Sequence, residues 1–167
     1  MKHKDLAMIA LFVTLTIVGA QISIPIATVP ITLQVLMIFL TGYFLRPYHA
    51  FLAQAIYLLL GILGLPVFSG FSGGFASILG PTGGYLISFP IAALVVSFSK
   101  KDYFSMFIYG ILGICIIYFF GVLVLTYHLK DFTKAIMIGL VPFIGIDFVK
   151  MFLAIIIAKR VLKVVEV

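Results

Sequence analysis

Long apolar runs along this chain are cut by short clusters of charged residues, proline and glycine, and no run alternates polar and apolar positions. Continuous runs of this kind predict helices, whereas a membrane barrel needs period-2 polarity in short segments. Bounded in this way, the pattern predicts six helices: Asp5 to Ile24, Ile31 to Leu45, His49 to Leu65, Gly84 to Ser99, Phe104 to Leu125, and Phe143 to Ala158. Between the last two, Asp131–Val141 reads as a short interfacial helix. Several of the six are shorter than the ~20 residues that cross a bilayer. A compact bundle with polar-lined hollows, or local thinning of the bilayer, accommodates them.

Composition narrows the class. Of 167 residues 64% are hydrophobic and only 10% charged, with a mean hydropathy of +1.33. Charged residues make up about a quarter of an ordinary globular chain, so the fold class expected is an all-α integral membrane protein, one domain over residues 1–167. The N-terminus, Met-Lys-His-Lys-Asp before an apolar run, resembles a signal peptide, but the run is long and no clear small-x-small cleavage site follows. It reads as a retained first span. No internal repeat is visible.

The net charge of +6 raises the question of nucleic acid, and the distribution of charge answers it. Lys2, Lys4, Arg46, Lys100, Lys101, Lys159, Arg160 and Lys163 fall on one side of the six spans. Lys130 and Lys134 fall on the other, and Lys150 lies within the last span. That is the positive-inside asymmetry of a plasma-membrane protein with both termini cytoplasmic, and no nucleic-acid partner is expected.

One segment departs from the helical pattern. Six of fifteen glycines fall between Leu65 and Tyr85, in a stretch with no charge but several Phe, Leu, Ile and Val. Non-helical backbone at membrane depth is tolerated where protein buries it or where it lines a cavity. The segment therefore reads as a structured outer lid or pocket wall between the third and fourth predicted helices, with a floppy connector as the bland alternative.

Few residues can carry chemistry. Asp147 and Lys150 form an i, i+3 ionisable pair inside the last helix. Intramembrane charges are costly and mark either a functional site or a structural ion pair, and the spacing is compatible with both. Gln34, with Thr32, opens the second helix; its amide can read a polar ligand or bond a neighbouring helix. Tyr85 stands where the glycine-rich segment meets the fourth helix, and Phe71 and Phe75 are either apolar pocket walls or membrane anchors. Ala10 and Thr14 have the small-xxx-small spacing of close helix packing, within the chain or against another subunit. Cys115, the single cysteine, reads as a small core hydrophobe. His3, His49 and His128 are scattered and make no metal-ligand set, and no cofactor motif, catalytic triad or Walker A sequence is present. An enzyme is not expected.

Taken together, Gly19-Ala-Gln-Ile-Ser-Ile-Pro25 and Val29-Pro-Ile-Thr-Leu-Gln34 resemble the opening of the BioY family. These are the biotin-binding S components of energy-coupling factor (ECF) transporters. Gly61-Ile-Leu-Gly-Leu-Pro66, Gly73-Gly74-Phe75 and Gly80-Pro-Thr-Gly-Gly-Tyr85 resemble the family's loop signature, and Pro142-Phe-Ile-Gly-Ile-Asp147-Phe-Val-Lys150 its last-helix motif. The resemblance implies a six-helix protein that takes up biotin from outside the cell. It also implies docking, through Ala10 and Thr14, on a transmembrane coupling subunit driven by two ABC ATPases. The family pattern has Ala at the second docking position and often a larger polar residue at Ser72. Biotin-binding residues implied are Asp147, Lys150, Tyr85, Ser72, Gly73, Gly74, Phe75 and Gln34. Competing expectations are an S component for another vitamin, or a small membrane protein in which Asp147–Lys150 is catalytic or structural.

Overall fold

The computed structural model describes residues 3–25 and 29–165. Its helices, in chain order, are α1 (His3–Gln21), α2 (Gln34–Phe44), α3 (Pro47–Ile62), α4 (Phe75–Leu79), α5 (Gly83–Ser97), α6 (Tyr103–Leu129), α7 (Phe132–Gly139) and α8 (Val141–Val165). A two-stranded antiparallel hairpin, β1 (Ser23–Ile24) with β2 (Ile31–Thr32), links α1 to α2, pairing Ser23 with Thr32 and Ile24 with Ile31. A single 3₁₀ turn, Ser69–Phe71, precedes α4.

Local chemistry explains the boundaries. Pro47 starts α3, where its missing N–H costs nothing. The Asp102 carboxylate caps α6 by accepting from the Ser105 N–H at 2.8 Å, and Asp131 caps α7 by accepting from the Lys134 N–H at 3.0 Å. Most expected ends move: α3 stops at Ile62 rather than Leu65, α6 runs on to Leu129 rather than Leu125, and α8 runs on to Val165 rather than Ala158. The first helix stops at Gln21 rather than Ile24, and the second starts at Gln34 rather than Ile31, because Ser23–Ile24 and Ile31–Thr32 pair with each other instead. The Thr32 hydroxyl then accepts from the Gln34 N–H at 3.2 Å, satisfying a donor at the start of α2. The five-residue α4 was not visible in the apolar pattern, being too short to show a period.

Three helices, α1, α6 and α8, are long and apolar enough to cross a membrane, and α2, α3 and α5 are shorter apolar helices. At 11 residues, α2 rises only about 17 Å. In the bundle α5 lies between α3, α2 and α6, while α2 also packs on α8 and α1 on α3. Close approach rests on small side chains: Ala50 and Ala53 of α3 and Ala92 and Ala93 of α5 are fully buried. The outward face is apolar, with Leu11, Val18, Leu59, Leu112, Phe119, Leu123, Phe152 and Ile156 exposed. Cys115 is on this outer face and not in the core expected for it.

Polar side chains join helices inside. The Gln54 amide donates to the hydroxyls of Thr16 (3.0 Å) and Thr41 (2.9 Å), tying α3 to α1 and α2. Each hydroxyl in turn donates to a carbonyl of its own helix, Phe12 and Met37 respectively.

Candidate functional site

A cavity of about 470 Å³ opens at the end of the bundle where α1 and α3 finish and α2, α5 and α8 begin. Its size falls in the range of small-molecule sites. The helical part of the lining comes from Gln34 and Val35 of α2, Tyr85, Leu86 and Phe89 of α5, Ile117 and Tyr118 of α6, and Phe143, Asp147 and Lys150 of α8. The roof has two pieces. Val29–Thr32 of the hairpin form one, and Phe68, Ser69, Ser72, Ala76, Ser77, Gly80, Pro81 and Thr82 of the glycine-rich segment form the other.

The charged corner lies on α8. Lys150 Nζ donates to Asp147 Oδ1 at 2.6 Å, and the Tyr118 hydroxyl donates to Asp147 Oδ2 at 2.7 Å. Both charged side chains are only 7% exposed, so pairing is what makes their burial tolerable. Capacity is left over. A carboxylate offers about four acceptor sites and an ammonium three N–H donors. The bonds just named use one site on each carboxylate oxygen and one Lys150 N–H. A ligand in the cavity can thus meet acceptors and donors side by side.

Tyr85 is seated by close backbone approach. Its hydroxyl donates to the Gly139 carbonyl at 2.8 Å, and its ring packs so near Gly121 that any Cβ there would overlap it. The ring also meets Tyr118 edge to face, with centroids 6.4 Å apart. On the opposite wall the Gln34 amide donates to the Tyr57 hydroxyl at 2.6 Å and accepts from the Thr32 hydroxyl at 2.9 Å. Tyr57 passes the chain on, donating to the Val67 carbonyl at 3.2 Å. Gln34 therefore bonds a neighbouring helix through Tyr57 and also lines the cavity.

The roof segment is held at several points. The Gly74 N–H donates to the Gly61 carbonyl at 2.7 Å, and the Phe68 ring lies against Gly61, where a Cβ would overlap it. Gly70 and Gly74 adopt φ values of 68° and 90°, which glycine takes without strain. The His128 ring sits 2.9 Å from both the Val124 and Leu79 carbonyls, beside the end of α4. Ser72 faces the cavity while its hydroxyl donates to the Ser69 carbonyl at 2.8 Å.

Of the expected binding residues, Asp147, Lys150, Tyr85, Gln34 and Ser72 converge on this cavity. Gly73, Gly74 and Phe75 do not line it. Gly73 backs onto the Leu65 carbonyl, and the Phe75 side chain, 59% exposed, points away, as does Phe71 at 70%. Ala10 and Thr14 lie exposed on α1, and the Thr14 hydroxyl bonds only the Ala10 carbonyl, at 2.9 Å. Tyr118 was not singled out from the sequence; its one signal is a hydroxyl in the middle of a long apolar helix.

The comparisons agree with this architecture. A structure described as the S component for biotin from an ECF-type ABC transporter superimposes with a TM-score of 0.88 at 29% identity, covering 98% of this chain and 95% of that one. The probable biotin transporter BioY of Pyrococcus horikoshii is 48% identical over 160 residues, 96% of this chain and 97% of its own. The biotin transporter BioY of Thermotoga maritima is 44% identical over 163 residues, 96% of each chain. Residues 1–167 match the BioY family from end to end. With the whole length matched, and relatives of nearly equal length on the same terms, the chain belongs to the BioY family.

Proposed function

We propose that this chain is a biotin-capturing S component: a non-enzymatic, substrate-binding membrane subunit of an ECF-type transporter. The observation that carries the reading is the buried Asp147–Lys150–Tyr118 corner facing an otherwise largely apolar cavity. Biotin presents a ureido ring with two N–H donors and one carbonyl, an apolar bicycle and chain, and a carboxylate. The free acceptor sites of Asp147 suit the ureido N–H groups, and a spare Lys150 N–H suits an oxygen of the ligand. Phe68, Phe89, Ile117 and Phe143 cover the apolar part. Gln34, Ser72 and Tyr85 supply uncharged polar contacts in the same enclosure. Polar groups paired inside a desolvated site reject analogues that leave them unpaired.

In this reading six helices (α1, α2, α3, α5, α6 and α8) form the membrane bundle, with both termini cytoplasmic and the cavity facing outward. The charge asymmetry in the sequence supports that orientation. So does the meeting of Lys159 and Lys101 at the far end of the bundle, where Lys159 Nζ donates to the Lys101 carbonyl at 2.7 Å. Uptake then draws on a transmembrane coupling subunit and two ABC ATPases, with α1 docking through Ala10 and Thr14. Calorimetry on the purified protein with biotin and a panel of other vitamins tests the reading. Heat with biotin alone is expected, without nucleotide; heat with another vitamin and none with biotin would overturn it.

A further inference from the structure

Gln21, the last residue of α1, does not line the cavity, yet it grips the roof from behind. Its Nε2 donates to the Phe68 carbonyl at 3.1 Å, and its Oε1 accepts from the Phe71 N–H at 3.0 Å. One partner is an acceptor and the other a donor, so only one amide orientation satisfies both. The grip spans the 3₁₀ turn Ser69–Phe71, whose flanking and internal residues Phe68, Ser69 and Ser72 line the cavity.

That turn needs an outside hold. Phe71 has φ of 55°, a left-handed conformation that a non-glycine residue adopts only against steric opposition. Burial of its ring does not offset this, because the side chain is 70% exposed. An observed backbone outlier of this kind points to a constraint imposed for function. On its other side Gln21 leads directly into the second roof piece. Ser23 pairs with Thr32, and the Leu33 N–H donates to the Gly19 carbonyl at 3.0 Å.

We propose that Gln21 is a positioning residue that registers the two roof pieces, hairpin and glycine-rich segment, as one lid and so sets how long a ligand stays. The proposal rests on the biotin reading above for its ligand, but the clamp itself can be measured without one. Hydrogen exchange of the purified, ligand-free protein should show residues 68–74 exchanging faster in Gln21→Ala than in the parent. Radiolabelled biotin should then leave Gln21→Ala roughly tenfold faster or more, as the loss of two ordinary hydrogen bonds would give. Gln21→Glu should behave like Gln21→Ala, since its carboxylate keeps the Phe71 bond but faces the Phe68 carbonyl with no proton to donate. Val18→Ala, an exposed position on the preceding turn, should change neither quantity.

Unchanged exchange over 68–74 in Gln21→Ala would overturn the clamp. Faster exchange with unchanged biotin release would overturn the lid role. Parent protein that fails to bind biotin would instead overturn the functional reading, and the exchange result would still decide the clamp. If Gln21→Ala does not fold, Gln21→Glu carries the same two readouts, and parent-like behaviour there would sink the proposal.

Discussion

On α8, Asp147 and Lys150 are fixed by each other and by Tyr118, three side chains on two long helices. Across the cavity, residues 63–82 carry no charge and little regular structure, and are held mainly by backbone hydrogen bonds, by Phe68 against Gly61, and by Gln21. The first region has a chemical identity that is expensive to alter, because charges buried away from water tolerate no missing partner. The second has almost none, and its contribution is closure. A site of this kind divides its work. On the proposed reading, the helices decide which molecule fits, and the roof decides how long it stays.

The sharpest way to break that division is at Lys150. Lys150→Met leaves the Asp147 carboxylate buried without its cation, and breaking a buried pair costs roughly 3–5 kcal/mol. Melting in detergent should show a large loss of apo stability, and calorimetry should show no biotin binding. The double variant Asp147→Asn with Lys150→Met removes both charges and should recover most of the stability while binding stays lost. Recovered binding in the double variant would mean that the pair is structural and the ligand is read elsewhere.

Asp147→Asn alone strands the buried Lys150 ammonium in the same way, but the amide oxygen it leaves can still accept from that ammonium, so the step is smaller. It keeps the size, removes the charge and turns half of the acceptor into a donor. A hydrogen bond to a charged group contributes about 1.5–3 kcal/mol, so biotin affinity should fall by about tenfold or more. A parallel melt apportions the loss between site and fold. Normal affinity with lowered stability would again assign the pair to structure. Tyr118→Phe should fall below this. It removes one donor to Asp147 Oδ2 but leaves the Lys150 pairing and the ring contact with Tyr85 in place.

How much of this was legible in the chain depends on the kind of signal each part leaves. Asp147 and Lys150 stood out because a charged pair in an apolar helix is costly enough to need a reason. The glycine-rich segment stood out because glycine without charge is an unusual loop. What did not show was the direction in which side chains leave that segment. Gly73, Gly74 and Phe75 read as lining, yet Ser69 and Ser77 join the expected Ser72 on the cavity while Phe75 is exposed. The ends of α1 and α2 were misread for a similar reason. A hairpin whose strands are two residues each leaves too short a pattern to compete with the apolar runs on either side. Tyr118 and Gln21 were invisible as site residues because their roles lie in partners far away in sequence, Asp147 for one, Phe68 and Phe71 for the other.

The roof side of the comparison is sharpened by Gly61→Ala. Alanine favours a helix over glycine by roughly 0.5–1 kcal/mol, so α3 by itself gains. The new methyl, however, occupies the position of the Phe68 ring. Overpacking of this sort costs typically 1–3 kcal/mol, and the roof segment, outside any long helix, rather than α3 should give way. Biotin release should speed up several-fold with little change in melting temperature. Unchanged release would mean that the Phe68 ring finds another seat and closure does not depend on it.

The smallest effect on the ligand should come from the surface of α1. Thr14 is exposed and its hydroxyl bonds only its own helix, so Thr14→Leu disturbs no contact between helices of this chain. Biotin affinity, release rate and melting temperature should all match the parent. If Ala10 and Thr14 are where a coupling subunit approaches closely, the added bulk should nonetheless reduce the amount of that subunit that co-purifies with this chain, because membrane helices associate through tight packing of small residues. Uptake by the assembled transporter should fall with it. The two arms separate the cavity from the docking face: full assembly with the Leu variant would remove Thr14 from the interface, and weakened biotin binding would show that α1 acts on the site through more than Gln21.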